Sequence, residues 1–265
     1  MSVAIVLPAR LASTRLANKL LLDKTGKSLL EHTIERAIEV RRLYPDLFRT
    51  ILIACDDSRL VTAARRAGVE GVLTDPGHKS GTDRIAEVAQ GLSEEIVINL
   101  QADEPEIEPE LIAQVAQLLL DAGSSGAVMS TLAAPIQDEA EWKRSSVVKV
   151  VVDSQGRALY FSRAPIPFVR DERSCQETWT WKRKDGGIER IFGLRHFGLY
   201  CFRRAFLLEY KHLPPSRLEK LEQLEQLRAL EAGHVIRVGM THRHPPGIDT
   251  PEDYEAFVAR MNAKS

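Results

Sequence analysis

The sequence predicts an α/β protein with a mostly parallel central sheet and a smaller β excursion over residues 155–205, within one domain spanning 1–265. Three observations carry this. Strand-length apolar runs recur (Val3–Leu7, Ile51–Cys55, Ile96–Leu100), as expected for parallel strands covered on both faces. Amphipathic helical segments alternate with them, the βαβ rhythm. Each of these runs also ends in charged or polar residues, and in open α/β sheets ligands bind at the carboxyl ends of the strands.

Taken in order, Val3–Leu7 ends at Pro8 and opens into a segment holding Arg10, Ser13, Thr14, Arg15 and Lys19. A buried strand feeding a cationic, hydroxyl-bearing loop is a place to hold phosphates; the alternative is a solvated basic loop. Ser28–Val40 places Leu29, Leu30, Ile34, Ala37 and Ile38 at helical spacing. Ile51–Cys55 is the second strand, Arg59–Ala67 a helix with Gly68 just past its end, and Gly71–Thr74 a third strand. The loop Asp75–Arg84 leads into a helix from about Asp83 to Gln90. Ile96–Leu100 is followed by Gln101, Asp103 and Glu104, and Pro109–Leu120 is a helix.

Further strands are expected at Ala127–Leu132, Val147–Val152 and Ala158–Ser162, with a turn at Asp153–Gly156. From Phe168 to Leu194 the chain turns polar, aromatic and basic. The alternation Thr178-Trp179-Thr180-Trp181 with Asp185-Gly186-Gly187 suits a hairpin returning over Ile188–Phe192, both tryptophans on one face. His196–Phe202 is a strand. Ser216 and Glu219 have capping-box spacing and open a helix running to Ala232 before Gly233. Its leucines fall every third residue, a row that drifts around a 3.6-residue turn and asks for cover on more than one side. Thr250-Pro251 starts a last helix, with Asp249 immediately before it.

Bulk composition narrows the function. The 265 residues are 44% hydrophobic with net charge −1, enough for a full core and against a broad nucleic-acid footprint. No apolar run approaches the roughly 20 residues that span a bilayer, and Val3 leaves no room for a cleavable leader. Cys55, Cys175 and Cys201 lack metal-type spacing, which fits thiols in a reducing compartment. A cytoplasmic protein with no membrane partner is expected. The dinucleotide and P-loop glycine fingerprints, zinc patterns and the hydrolase elbow are all missing.

What remains is a set of strand-end clusters: Arg10 to Lys19, Gln101 with Asp103, and Asp249. The loop Ser80–Arg84 adds backbone N–H groups at a helix start and a guanidinium. Two carboxylates at element termini suit Mg²⁺, which takes one or two carboxylates plus substrate phosphates; singly, an Asp at a strand end is as readily a cap or turn former.

Longer motifs carry a resemblance. Val6–Arg10 with Ser13–Leu16 and Lys19, His78–Arg84, Asn99–Pro105, Val147–Val151, Ala158–Pro167, Arg195–Tyr200, Leu224–Arg228 and Gly247–Asp253 resemble, in order and over nearly the whole chain, the CMP-sugar-acid synthetases. Among these they are most similar to the 3-deoxy-manno-octulosonate (Kdo) cytidylyltransferases. The resemblance implies a Rossmann-like nucleotide-sugar transferase fold and a homodimer, with the 155–205 excursion used for dimerisation. It implies CTP, Mg²⁺ and Kdo, joined to make CMP-Kdo and pyrophosphate for lipopolysaccharide assembly. By motif position, Arg10 and Lys19 hold the CTP phosphates, Ser80 adds to the nucleotide site, and Arg15 and Arg84 stand near the reacting groups. Asp103 and Asp249 ligate Mg²⁺, and Gln101 lies between nucleotide and sugar. Arg163, His196, Tyr200, Glu225 and Gln226 line the sugar-acid pocket, with Arg163 facing the sugar carboxylate.

Four of these sugar-side residues also have a plainer reading: His196 and Tyr200 as core packing, Glu225 and Gln226 as solvated helix residues. The chain departs from the family pattern at Ala17-Asn18 (usually Pro-Gly), Asp83 (usually Glu) and Ala102 (usually Gly), where a Cβ enters a position near the nucleotide. Two rival functions stand beside the main one: the same transfer to an acylneuraminate or amino-substituted Kdo, and a non-catalytic nucleotide-binding homologue. The second is disfavoured because Arg10, Lys19, Asp103 and Asp249 are all present.

Overall fold

The structure is a computed structural model describing residues 2–13, 15–123, 125–170, 180–182, 187–242 and 247–263. In chain order the elements are β1 Val3–Ala9, α1 Leu29–Leu43, β2 Phe48–Cys55, α2 Ser58–Arg66, β3 Glu70–Leu73, α3 Gly81–Ala89, β4 Ile96–Asn99 and α4 Pro109–Leu120. There follow β5 Ala127–Ile136, α5 Glu139–Lys143, β6 Lys149–Val152, β7 Ala158–Ser162, β8 Thr180–Lys182, β9 Ile188–Arg190 and β10 Gly193–Arg203. The helices Arg204–Tyr210, Arg217–Glu222 and Gln226–Glu231, strand β11 Val235–Met240 and the helix Pro251–Asn262 complete the chain. No described helix is long and apolar enough to cross a membrane.

These elements group into two compact units. The first comprises residues 1–117, 199–211 and 245–265. Its sheet is parallel where β1 pairs with both β2 and β4, and where β2 pairs with β3; the end of β10 adds an antiparallel edge, Tyr200 opposite Asn99. All seven residues of β1 are buried, which is why its sequence is a continuous apolar run rather than an alternation. Helix α1 starts where the sequence places it. Ser28 Oγ accepts from Glu31 N–H, and the Glu31 carboxylate accepts from Ser28 N–H (2.7 Å), closing a capping box.

The second unit comprises residues 118–198 and 212–244. Here β11 runs parallel to β5, β6 pairs antiparallel with β10 and β7, and β8 pairs antiparallel with β9. The expected hairpin is present, with Thr180 opposite Arg190; Trp179 and the side chain of Trp181 lie outside what is described, as does Cys175. Cys55 and Cys201 are buried thiols.

Two expectations are corrected. The helix expected from Ser216 to Ala232 is two helices, broken at Gln223, which adopts the left-handed conformation (φ 54°, ψ 49°). The break removes the drift of the leucine row: Leu224 and Leu227 are buried, while Leu221 is 78% exposed. The capping box there is half formed. Ser216 Oγ accepts from Glu219 N–H, but the Glu219 carboxylate turns to Arg228, which donates to it twice (2.8 and 2.5 Å). β11 and the helices at 139–143 and 204–210 were not expected; the last two are five and seven residues long, too short for a hydrophobic period to register.

Candidate active site

In the first unit, the loops after β1 and β4 and the approach to the C-terminal helix line a cleft of about 400 Å³, including Arg10, Ser13, Arg15, Lys19, Gln101, Asp103 and Asp249. At its centre the Lys19 ammonium donates to Asp103 Oδ2 (2.5 Å), Ile248 O (2.8 Å) and Asp249 Oδ1 (3.2 Å). Arg15 donates to the same Asp249 oxygen (3.0 Å). Residues separated by more than 200 positions are thus brought to one point.

Local structure explains each placement. Asp249 stands before Thr250, which caps the last helix; Asp253 Oδ2 accepts from the N–H groups of both Asp249 (3.0 Å) and Thr250 (2.9 Å). Ile248 N–H donates to Asp103 O (3.3 Å), tying the two acidic segments together. Lys19 opens a short 3₁₀ turn, and Asn18 before it is left-handed at φ 51°. Glycine is usual there in the family pattern, and asparagine is among the few other residues that tolerate this conformation. Ala102, another departure, has no positive φ; its Cβ is accommodated without backbone strain, and its carbonyl accepts from Thr33 Oγ1 (2.9 Å).

Helix α3 brings its N-terminus to the cleft through Gly81, where a Cβ would stand 3.3 Å from Pro8 Cγ. Ser80 lies just outside the lining and caps α3, accepting from Asp83 N–H (3.0 Å). Arg84 is fully buried rather than on the cleft wall. It donates to Thr74 Oγ1 (2.5 Å) and faces Asp56 at 3.9 Å, while Asp56 accepts from Leu11 N–H (2.9 Å). Among the described residues, Nη2 of Arg10 and Nε and Nη2 of Arg84 have no hydrogen-bond partner. Gln101 donates to Asn99 Oδ1 (3.1 Å).

The donor set fits a hard divalent cation. Asp103 and Asp249 already converge on one cationic centre, the Lys19 ammonium, and both present oxygen, the ligand Mg²⁺ prefers. Negative charge is concentrated there: burial first, then the charges of Asp103 and Asp249, pushes the Glu104 carboxyl up to about 8. Among the described residues no three His, Cys, Asp or Glu side chains surround one point, so phosphate and water would complete the coordination.

The second unit carries four of the five sugar-side candidates; Tyr200, with Phe202 tilted against it at 6.0 Å, belongs to the first. His196 is edge-on to Phe161 (4.8 Å between ring centres). The Thr131 hydroxyl donates to Phe197 O (3.0 Å), so its oxygen accepts from His196 Nε2 (3.0 Å); burial drives the imidazole pKa down to about 3, leaving it neutral. Gln226 is 4% exposed, and its amide nitrogen has no hydrogen-bond partner among the described residues. Glu225 precedes it and lines a cavity of about 260 Å³ with Glu219, Gln223 and Arg228. Arg163 directs its guanidinium at the carbonyls of Ser145, Glu222 and Gln223. Sequence reasoning missed Lys149 and Glu222, the groups that hold this region; a lysine amid the valines of 147–152 was the available signal.

Comparison with known proteins shows the family. A sequence model of the Cytidylyltransferase family matches residues 4–237. The chain is 45% identical over 263 residues to a 3-deoxy-manno-octulosonate cytidylyltransferase of Anaeromyxobacter sp., covering 98% of this chain and 97% of that one. It is 43% identical over 263 residues to the protein of that name from Halorhodospira halophila, covering 98% and 96%. Among solved structures, a CMP:2-keto-3-deoxy-manno-octonic acid synthetase complexed with CTP superposes with a TM-score of 0.86 at 37% identity, covering all of both chains. The chain belongs to the cytidylyltransferase family and, within it, to the 3-deoxy-manno-octulosonate cytidylyltransferases.

Proposed function

We propose that the cleft of the first unit binds the triphosphate of CTP around Mg²⁺, and that the protein transfers the cytidylyl group to Kdo with release of pyrophosphate. The convergence of Lys19, Asp103 and Asp249 beside Arg10 and Arg15 carries this reading. The Kdo hydroxyl oxygen attacks the α-phosphorus, the bond to the bridging oxygen of the β-phosphate breaks, and the hydroxyl proton is lost to solvent. Asp103 and Asp249 would hold Mg²⁺, and the ion would supply Lewis-acid stabilisation of phosphoryl oxygens. Lys19, Arg10 and Arg15 neutralise charge growing on the departing pyrophosphate, the electrostatic term that dominates such transfers. The N-terminus of α3 at Gly81 adds backbone donors of the kind that favour phosphate. Gln101 is assigned to orienting the acceptor, and neutral His196, Tyr200, Glu225 and Gln226 to sugar recognition.

Pyrophosphate release with CTP, Mg²⁺ and each of several sugar acids tests the proposal beside Asp103→Ala. Release with Kdo, reduced by about a thousandfold in the variant as expected when a metal and its transition-state stabilisation are lost, supports it. Release only with another sugar acid retains the chemistry and changes the substrate; none with any of them overturns the enzyme reading. The homodimer is proposed on the exposed Leu159 (61%) and Phe168 (85%) of the 155–205 stretch, and light scattering at the monomer mass would dismiss it.

A further inference from the structure

The motif Val147–Val151 has no part in the chemistry above, yet its lysine is fully buried. Lys149 Nζ donates to the carbonyls of Arg144 (2.9 Å), Val147 (2.6 Å) and Arg163 (2.5 Å). Arg163, anchored through its own carbonyl, reaches across to the helix Arg217–Glu222. Its Nε donates to Glu222 O (2.8 Å), Nη2 to Gln223 O (3.4 Å) and Nη1 to Ser145 O (3.1 Å). Glu222 answers with its carboxylate, which accepts from Arg163 N–H (2.9 Å), the Ser162 hydroxyl (2.6 Å) and the Tyr160 hydroxyl (3.4 Å).

This mutual grip closes on one place, the left-handed bend at Gln223. A residue with a side chain persists in that conformation only where its surroundings over-determine it. Two arginine bonds to consecutive carbonyls do so, and they satisfy carbonyls that a helix end would otherwise leave unpaired. Glu225 and Gln226 follow the bend directly.

We propose that Lys149, Arg163 and Glu222 form a positioning clasp for sugar-acid recognition, holding the bend at Gln223 and through it the side chains of Glu225 and Gln226. The inference rests on the reading that these two face the sugar acid. None of the three lines either cavity described above. Arg163 therefore acts on the sugar through the main chain, and its partner Glu222 matters as much as Arg163.

The test is steady-state kinetics on the full chain with CTP, Mg²⁺ and Kdo, comparing Glu222→Gln with Glu225→Ala. Glutamine keeps the volume but offers one acceptor oxygen where the carboxylate offers two. The expected result is a KM for Kdo raised about tenfold or more, the scale of small displacements of binding groups, with KM for CTP unchanged. Adding Gln223→Gly, at ease in the left-handed region, restores part of the loss. An unchanged KM for Kdo in Glu222→Gln, while Glu225→Ala raises it, overturns the clasp and leaves the sugar reading standing. No effect of Glu225→Ala or Gln226→Ala sinks the sugar reading instead. Should Glu222→Gln fail to fold, Ser162→Ala removes one donor to the same carboxylate and is judged by the same criterion. CTP affinity falling in parallel, by calorimetry with CTP and Mg²⁺, identifies general damage and also overturns the clasp.

Discussion

At the scale of residues, burial decides which ionisable groups take part in chemistry. Lys19 stays at the cleft surface among two carboxylates and a carbonyl, so a cation accepted by Asp103 and Asp249 competes with its ammonium and frees it for phosphate. His196 is the opposite case, kept neutral by burial with a pKa near 3. An ordinary histidine titrates near 6.5. Between those values the unfolded chain binds a proton that the folded chain refuses, so stability falls as pH is lowered through that window. We predict that His196→Gln flattens the stability curve between pH 6 and 4. The wild type should lose about 1.4 kcal/mol per pH unit more than the variant, read from urea midpoints across that range; parallel curves would contradict it.

At the scale of elements, helix ends set the site. The capping box of Thr250 and Asp253 fixes Asp249, and the break at Gln223 fixes the start of the helix Gln226–Glu231. A side chain in the left-handed region costs roughly 1–2 kcal/mol, and a β-branched one suffers most. Gln223→Gly is therefore expected to keep or raise stability, and Gln223→Val to fall at least about 1 kcal/mol below it, measured by chemical denaturation. Equal stabilities would mean that the bend is not strained.

At the scale of the whole molecule, a site assembled from residues 10–19, 101–103 and 249 exists only in the folded chain, so its ligands stabilise the fold by mass action. With CTP and Mg²⁺ at 100 times the dissociation constant, stability should rise by about 2.7 kcal/mol, visible as a raised thermal midpoint. The increment should shrink when Mg²⁺ is withheld, and Asp103→Asn should remove the Mg²⁺-dependent part. An increment indifferent to Mg²⁺ would remove Asp103 and Asp249 from the metal site.

The parallel strands of the first unit were legible in the sequence, because burial on both faces forces unbroken apolar runs such as Val3–Leu7. The spacing of Leu29, Leu30, Ile34, Ala37 and Ile38 made α1 legible, and Thr250 with Pro251, a local hydrogen-bonding and dihedral signal, marked the start of the last helix. The acidic and basic residues of the cleft were legible as strand-end charges and through family motifs. Folding alone sets Lys19 between Asp103 and Asp249, buries Arg84 beneath the cleft's loop, and closes Arg163 on Glu222 and Gln223. Those pairings join residues tens to hundreds of positions apart, and their partners are often main-chain carbonyls, which every residue has and which no side-chain pattern marks. The split at Gln223 was hidden for the same reason: the leucine spacing reads as one helix, and the bonds that end it come from Arg163, just past β7.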